Sequence, residues 1–336
     1  MRRMALGRET ITMQRRRFLQ ACAATPWLAA GAARAADAYP SHPIRMLIGY
    51  AAGGTADISW RIIAPILSER LGQPIVIENK PGAGGIVASQ AALSAPADGY
   101  TFVLAATGNF GISPVLLKSM PYDAVKDFDM IAQVADFDYV LAVASGSPFK
   151  SVRDVVAYAK AHPGKLSIGT VQVGSAQFFA AELFKSMAGI VAVTVPYRTS
   201  GDVVAAARSG DVQLMVETIA PVISQVHGGA LRALGVTGDT PFPSLPDVPP
   251  VSRDGVPGYV VKAWNGLAAR AGTPPQVAER MGRELSAVLA MAEVKKRYID
   301  LGIVAKYGTP ETLRAMQLAD IKKWSAVMAS AHLEKQ

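Results

Sequence analysis

Short uninterrupted apolar runs alternate along the chain with longer amphipathic stretches, the pattern of an α/β protein. The run IRMLIG (44–49) ends in the turn AAGGTAD (51–57), after which Ile58, Ile62 and Ile66 recur at helical spacing. Gly72 closes that helix and Pro74 opens the next run, Ile75-Val76-Ile77. Continuous apolar strands of this kind predict a parallel sheet covered on both faces and joined by right-handed crossovers. The turn PGAGG (81–85) leads into a second helix through Ala88, Ala91 and Ala92, followed by the strand YTFVL (100–104).

A third strand is predicted at 140–143 and a helix at 152–161, which ends at His162-Pro163-Gly164. LSIG (166–169) reads as a strand feeding the turn 170–175. The next helix starts at Ser175, carries Phe179, Leu183 and Met187 on one face, and stops at Gly189. The second half thus begins like the first. Strands at 191–195, 212–216 and 232–236 and a helix at 202–208 come next. A Pro-rich loop (241–257) then precedes an apolar segment at 259–267 and two amphipathic C-terminal helices. With 336 residues, half of them apolar, the chain is long enough for two lobes.

The net charge of +8 suggests nucleic acid until its position is considered. Arg2, Arg3, Arg8, Arg15, Arg16, Arg17 and Arg34 lie in the first 35 residues against Glu9, which leaves 27 basic and 25 acidic residues, or +2, for the remainder. A nearly neutral body without a basic run lacks the footprint of phosphate-backbone binding, and no nucleic-acid partner is expected. The same N-terminus, with Arg15-Arg16-Arg17-Phe18-Leu19, an uncharged stretch, and small residues in Ala33-Arg34-Ala35, reads as a cleaved twin-arginine-type signal over residues 1–35. Met1 or Met13 could be the start. The stretch is too short for a membrane span and holds Pro26 and Gly31. The single cysteine, Cys22, lies inside the signal, so the mature chain has neither disulfide nor thiol chemistry. The uncharged run 99–117 is broken by Thr107-Gly108-Asn109 and Pro114 and reads as a buried strand, a turn and a further element.

In open α/β sheets ligands bind at the carboxyl ends of strands, where helix N-termini present unpaired N–H groups. Two turns fit. Gly53-Gly54 lets backbone approach an anion, and 170–175 adds the hydroxyls of Thr170 and Ser175 and the amide of Gln172. Taken singly, each is more readily a connecting turn whose glycines serve backbone angles. Nucleotide motifs fail: 81–85 lacks Gly-Lys-Ser/Thr, and Gly82-Ala83-Gly84 has no third glycine at Val87. Catalytic motifs are thin. His42, His162, His227 and His332 are scattered without metal-ligand spacing, and Gly174-Ser175-Ala176-Gln177 breaks the nucleophile elbow. Neither cofactor nor metal is expected. Asp57 and Arg61, four apart, are placed to pair at the helix's first turn.

Taken in order, the motifs resemble the extracytoplasmic solute receptors of tripartite tricarboxylate transporters, also called Bug receptors. The matching segments are GYAAGGTADISWR (49–61), LGQPIVIENKPGAGG (71–85), ADGYTFVLA (97–105), GSAQFFAAELF (174–184), VPYRTSGD (195–202), LRALGVTG (231–238), LPDVPPV (245–251) and WNGLAARAGTP (264–274). Their joint order spans nearly the whole mature chain.

The resemblance implies a two-lobed type II periplasmic-binding-protein fold, with residues 39–140 plus 256–336 as lobe 1 and 141–255 as lobe 2. A monomer would close over a small carboxylated solute and deliver it to a two-subunit membrane permease. In such receptors the turn corresponding to 170–175 holds one carboxylate directly, and the turn from Gly53-Gly54 to Asp57 reaches it through waters. The site so implied comprises Gly53, Gly54, Asp57, Thr107, Thr170, Gln172, Gly174, Ser175, Gln177, Tyr197, Arg198, Thr199, Glu217 and Thr218. Ala52 replaces the family's usual proline, Gln172 a glycine, Gln177 a frequent histidine, Arg198 a frequent lysine, and Glu217 a usual aspartate. Arg198 is either a bidentate partner for a second carboxylate or half of a surface ion pair. Besides transport, a ligand sensor feeding a signalling protein and a periplasmic hydrolase or lyase acting on carboxylic acids are the competing readings.

Overall fold

The first apolar run forms β1 (Ile44–Ile48) in the computed structural model, which describes residues 39–330 together with 334 and 335. The signal segment, Cys22 and His332 lie outside the described residues. The chain divides into two units, Met1–Ser41 and His42–Gln336, and every described helix and strand belongs to the second.

β1 feeds α1 (Thr55–Leu71), which ends at Gly72 with φ 73°, a left-handed stop that glycine adopts at low cost. The face α1 buries is rotated from the predicted one. Trp60, Ile63, Leu67 and Leu71 are buried, whereas Ile58 and Ile66 are only partly so. β2 (Ile75–Asn79), α2 (Ile86–Leu93) and β3 (Thr101–Ala106) complete two βαβ units, with β2 and β3 parallel to β1 on its two sides. A wide π-type turn, Thr107–Ile112, and a short α3 (Ser113–Leu116) come next.

β4 (Phe128–Ala144) is a 17-residue strand where the hydrophobic pattern predicts only its last third. Its first part carries Gln133, Asp136 and Asp138, which interrupt the apolar run. The Gln133 amide nitrogen donates to Asp136, which also pairs with Lys306 at 2.8 Å, so these two side chains partner one another along the strand.

The next elements are α4 (Val152–Ala161), β5 (Leu166–Val171), α5 (Ala176–Ala188), β6 (Ala192–Tyr197), α6 (Ser200–Ser209), β7 (Leu214–Thr218), α7 (Ile223–His227) and β8 (Leu231–Val236). On α5 the predicted face is corrected: Phe179, Ala180 and Phe184 are buried, while Met187 is 42% exposed. β9 (Lys262–Arg270), α8 (Pro275–Ala290), α9 (Ala292–Asp300), β10 (Val304–Gly308) and α10 (Pro310–Ser330) finish the chain. The C-terminal region therefore holds three helices and a strand instead of two helices, because extended backbone at Met291 splits the first amphipathic stretch.

The strands run in the order β2-β1-β3-β9-β4-β7-β5-β6, with β8 and β10 also on β4. The expected parallel pairing is found for β1 with β2 and β3 and for β5 with β6 and β7, whereas β4 is antiparallel to β7, β8, β9 and β10. β9 lies between β3 and β4 and opposes both. β4 changes sheets in mid-course: Asp138 pairs with Lys262 of β9, and the next residue, Tyr139, with Thr218 of β7. Buried Thr237 ties this crossing to a second one. Its N–H donates to Tyr139 O (3.0 Å), its hydroxyl accepts from Tyr139 N (2.9 Å), and its carbonyl accepts from Val261 N (2.9 Å). Two lobes joined by crossing strands result, and α10 bridges them by seating Trp324 edge-on against Phe179 of α5, ring centroids 5.7 Å apart.

Candidate functional site

A cavity lies between the lobes at the carboxyl ends of β1, β5 and β7, where the N-termini of α1, α5 and α6 converge. About 80 Å³ of it is open to the centres of water molecules. At roughly 10–15 Å³ per water by this measure, that accommodates a small organic acid.

From the first lobe come Gly54, Thr55 and Ala56. Gly54 is the N-cap of α1, with extended φ and ψ and no side chain to cap the helix, so the first-turn N–H groups of a 17-residue helix are left to whatever enters. Gly53, at φ +81°, makes the turn. Asp57 does not line the cavity. Its carboxylate accepts from Arg61 Nε (2.8 and 2.9 Å), Asn79 Nδ2 (3.0 Å) and Gly53 N (3.0 Å), which braces the turn from behind. Burial alone would raise the Asp57 pKa, but these hydrogen bonds outweigh it and hold the carboxyl below its ordinary value.

From the second lobe come Val171, Gln172, Ala176 and Gln177 around the start of α5, and Arg198, Thr199 and Ser200 around the start of α6. Thr170, Gly174 and Ser175 shape this wall from behind. Thr170 is fully buried and donates to Val171 O (2.9 Å), and Gly174 adopts φ +87°. Ser175 caps α5, its Oγ accepting from Phe178 N (3.1 Å). Thr199 caps α6 in a capping box with Asp202. Tyr197, in register with Val171, is partly exposed beside the site and not on its wall. Among the described residues Arg198 has neither hydrogen-bond nor ion-pair partner, and it is exposed at the mouth.

Glu217 is fully buried behind Gln177 and Thr218, both of which face the cavity. Its Oε1 accepts from Gln177 Nε2 (2.7 Å), Thr218 N (2.7 Å) and Thr218 Oγ1 (3.0 Å), while Oε2 has no partner. Burial raises its pKa against the opposing hydrogen bonds from Gln177 and Thr218. Thr218 Oγ1 also meets Thr55 Oγ1 at 2.5 Å, a hydrogen bond from one lobe to the other across the cavity.

Thr107 lines the site from the π-type turn, and its hydroxyl accepts from Trp264 N (3.2 Å). Sequence reasoning missed Tyr50, Phe137, Tyr139, Trp264 and Asn265. WNG (264–266) stood within a recognisable motif, but its register against β3 and β4, which brings it to the cavity, is not written locally. Among the described residues lining the cavity none is Asp, Glu or Lys, and Arg198 is the sole formal charge. No group of three or more His, Cys, Asp and Glu among the described residues is arranged to hold a metal, and no described helix is long and apolar enough to cross a membrane.

Over residues 59–333 the sequence matches the family described as the tripartite tricarboxylate transporter family receptor. A protein encoded in the tcbD–tcbE intergenic region of a Pseudomonas species is 32% identical over 320 residues, 95% of each chain. Solved structures with the same fold include an R. palustris protein with adipate (TM-score 0.85, 29% identity, covering 88% of this chain and 99% of that one). The periplasmic binding protein BugD superposes with TM-score 0.83 at 29% identity, covering 89% of this chain and 100% of its own. MatC from Rhodopseudomonas palustris with bound malate gives 0.81 at 27% identity, covering 86% and 99%.

Proposed function

Because the chain belongs to the tripartite tricarboxylate transporter family of receptors, we propose that it captures a small carboxylated compound in the periplasm and delivers it to a two-subunit membrane permease. The observation that carries this reading is the convergence of three helix N-termini on a cavity without an acidic residue among its described lining. Helix N-termini present N–H donors and positive potential, and a carboxylate supplies both the acceptors and the charge. The uncapped start of α1 and the Gln172–Gln177 wall are the proposed grip on one carboxylate. Arg198, free at the mouth, is the proposed partner of a second. Relatives that hold adipate and malate support a dicarboxylate.

The remaining site residues take supporting roles in this reading. Asp57 and Gly53 hold the first turn, Thr170, Gly174 and Ser175 the second, and Glu217 orients Gln177. Tyr197 flanks Arg198. The lobes are taken as 39–140 with 256–336 and 141–255, supported by the exchange of β4's partners between Asp138 and Tyr139. The chain acts as a monomeric binding protein without catalysis, exported by the twin-arginine-type segment 1–35, which is then removed.

Thermal unfolding of ligand-free protein against mono-, di- and tricarboxylates tests the proposal. A ligand at a hundred times its Kd stabilises by about 2.7 kcal/mol, enough for a shift of several degrees. At least one dicarboxylate should produce it. If no acid in the panel moves the melting temperature, the carboxylate reading fails.

A further inference from the structure

Two of the positions at which this chain departs from the family pattern, Gln177 and Glu217, are hydrogen-bonded to one another at 2.7 Å. Gln177 and Thr218 line the cavity on one side and touch the fully buried Glu217 on the other. All three hydrogen bonds that the carboxyl accepts, from the Gln177 amide, the Thr218 N–H and the Thr218 hydroxyl, fall on Oε1. Oε2 is buried with no partner among the described residues. An ionised carboxyl shares its charge between both oxygens, so part of that charge would lie in the interior without a donor. A proton on Oε2 removes it.

No cation bonds to Glu217 among the described residues, in contrast to Asp57, which Arg61 holds ionised on the other lobe. The elements packed around β7 are β4, β5, α5 and α6. On β4, buried Tyr139 faces Glu217 electrostatically and is itself kept neutral by burial, while Asp129 accepts from Gly272 N, Asp136 pairs with Lys306 and Asp138 has Lys262 beside it. β5 carries no ionisable side chain. On α5, Glu182 and Lys185 pair with each other, and on α6, Asp202 belongs to the capping box and Arg208 to the last turn. Arg198 stands exposed at the mouth. Glu217 is thus a carboxyl without a counter-ion, one side chain behind a wall that receives an anion.

We propose that Glu217 links capture of the anion to a proton: its carboxyl ionises in the empty protein as pH rises, is neutral when an anion fills the cavity, and takes up a proton from solvent as the ligand enters. The inference rests on the carboxylate-receptor reading and adds a proton to its binding reaction. In the empty protein burial already favours the neutral form, and an anion against Gln177 and Thr218 favours it further, because like charges repel. Between the two pKa values Kd therefore rises with pH, by up to about tenfold per pH unit for a single proton, and below that window it is flat. A ligand held in this way is released more readily on the alkaline side.

Calorimetric titration of ligand-free protein with succinate, malate, glutarate and adipate tests it, run from about pH 6.5 to about pH 9, where the acids themselves are ionised. Two buffers of different ionisation enthalpy at each pH report the protons exchanged. For the acids that bind, Kd should rise about tenfold or more across the range, with proton uptake. Glu217→Gln, which keeps the shape and an acceptor oxygen, should bind with a Kd that no longer changes with pH and without proton uptake. If that variant does not fold, Thr218→Val decides. It removes a hydroxyl that favours the ionised carboxyl, so the rise in Kd should begin at higher pH whatever happens to the affinity itself. A flat Kd without proton uptake in the parent overturns the inference and leaves the carboxylate reading intact. So does a rise that survives Glu217→Gln, or one whose onset Thr218→Val leaves in place or lowers. If none of the acids binds, the carboxylate reading falls and takes this inference with it.

Discussion

Ser175 shows how one side chain can be legible in kind and not in use. Its position after a strand and before a helix marks it as a hydroxyl near the ligand, yet its Oγ is committed to Phe178 N as the cap of α5. Ser175→Ala is therefore expected to cost about 1 kcal/mol of stability in the ligand-free protein, read as a lowered urea midpoint. An unchanged midpoint would mean that the cap contributes nothing. Arg198 is the converse case. Sequence left it between ligand partner and surface ion pair, and the structure gives it no ion-pair partner among the described residues. Arg198→Gln should weaken dicarboxylates about tenfold or more while changing a monocarboxylate of equal length far less, because only the second carboxylate loses its guanidinium. Equal losses for both classes in titration calorimetry would place Arg198 elsewhere. Asn265 was missed for a physical reason: its orientation depends on Ser59, 206 positions away in sequence.

Among the elements, those with strong local signals were readable: β1, α1, β5 and α5 begin and end where apolar runs meet glycine stops at Gly72 and Gly189, both left-handed. Elements defined by distant partners were not. β4 looked like a four-residue strand because Gln133, Asp136 and Asp138 interrupt it, and only β9 and β10 show why those residues belong to a sheet. The segment Thr107–Ile112 reads in the sequence as a turn, and the family resemblance puts Thr107 in the site, where the structure has it on the cavity wall; its π-type geometry carries no local signal. What holds that turn is fully buried Asn109, whose Oδ1 accepts from Ala106 N (3.0 Å) and whose Nδ2 donates to Leu104 O (2.9 Å) and Ser89 Oγ (3.3 Å). Asn109→Ala strands several buried polar groups together. A loss of about 2–4 kcal/mol is expected by chemical denaturation, with weakened ligand binding because Thr107 loses its support. A variant of parental stability would show that water replaces the amide.

For the whole molecule, the lobes meet at a hydrogen bond across the cavity and at a pair of crossings. The hydrogen bond is Thr55–Thr218, and the crossings are tied by Thr237. At the crossing sits Asp138, 8% exposed, on the last residue of β4 paired with β9. Burial pushes its pKa up to about 6; Lys262 opposes the rise, while Asp239 and Asp136 add to it. A carboxyl whose folded pKa lies above its ordinary 3.8 is favoured by the fold in its neutral form. Its contribution to stability is thus complete below pH 3.8 and is lost as pH rises through about 6. Asp138→Asn, which keeps the shape and removes the charge, should match the parent near pH 4 and exceed it at pH 8 by up to about 3 kcal/mol, read from urea midpoints at the two pH values. Equal midpoint differences at both pH values would mean that Asp138 is solvated at the crossing.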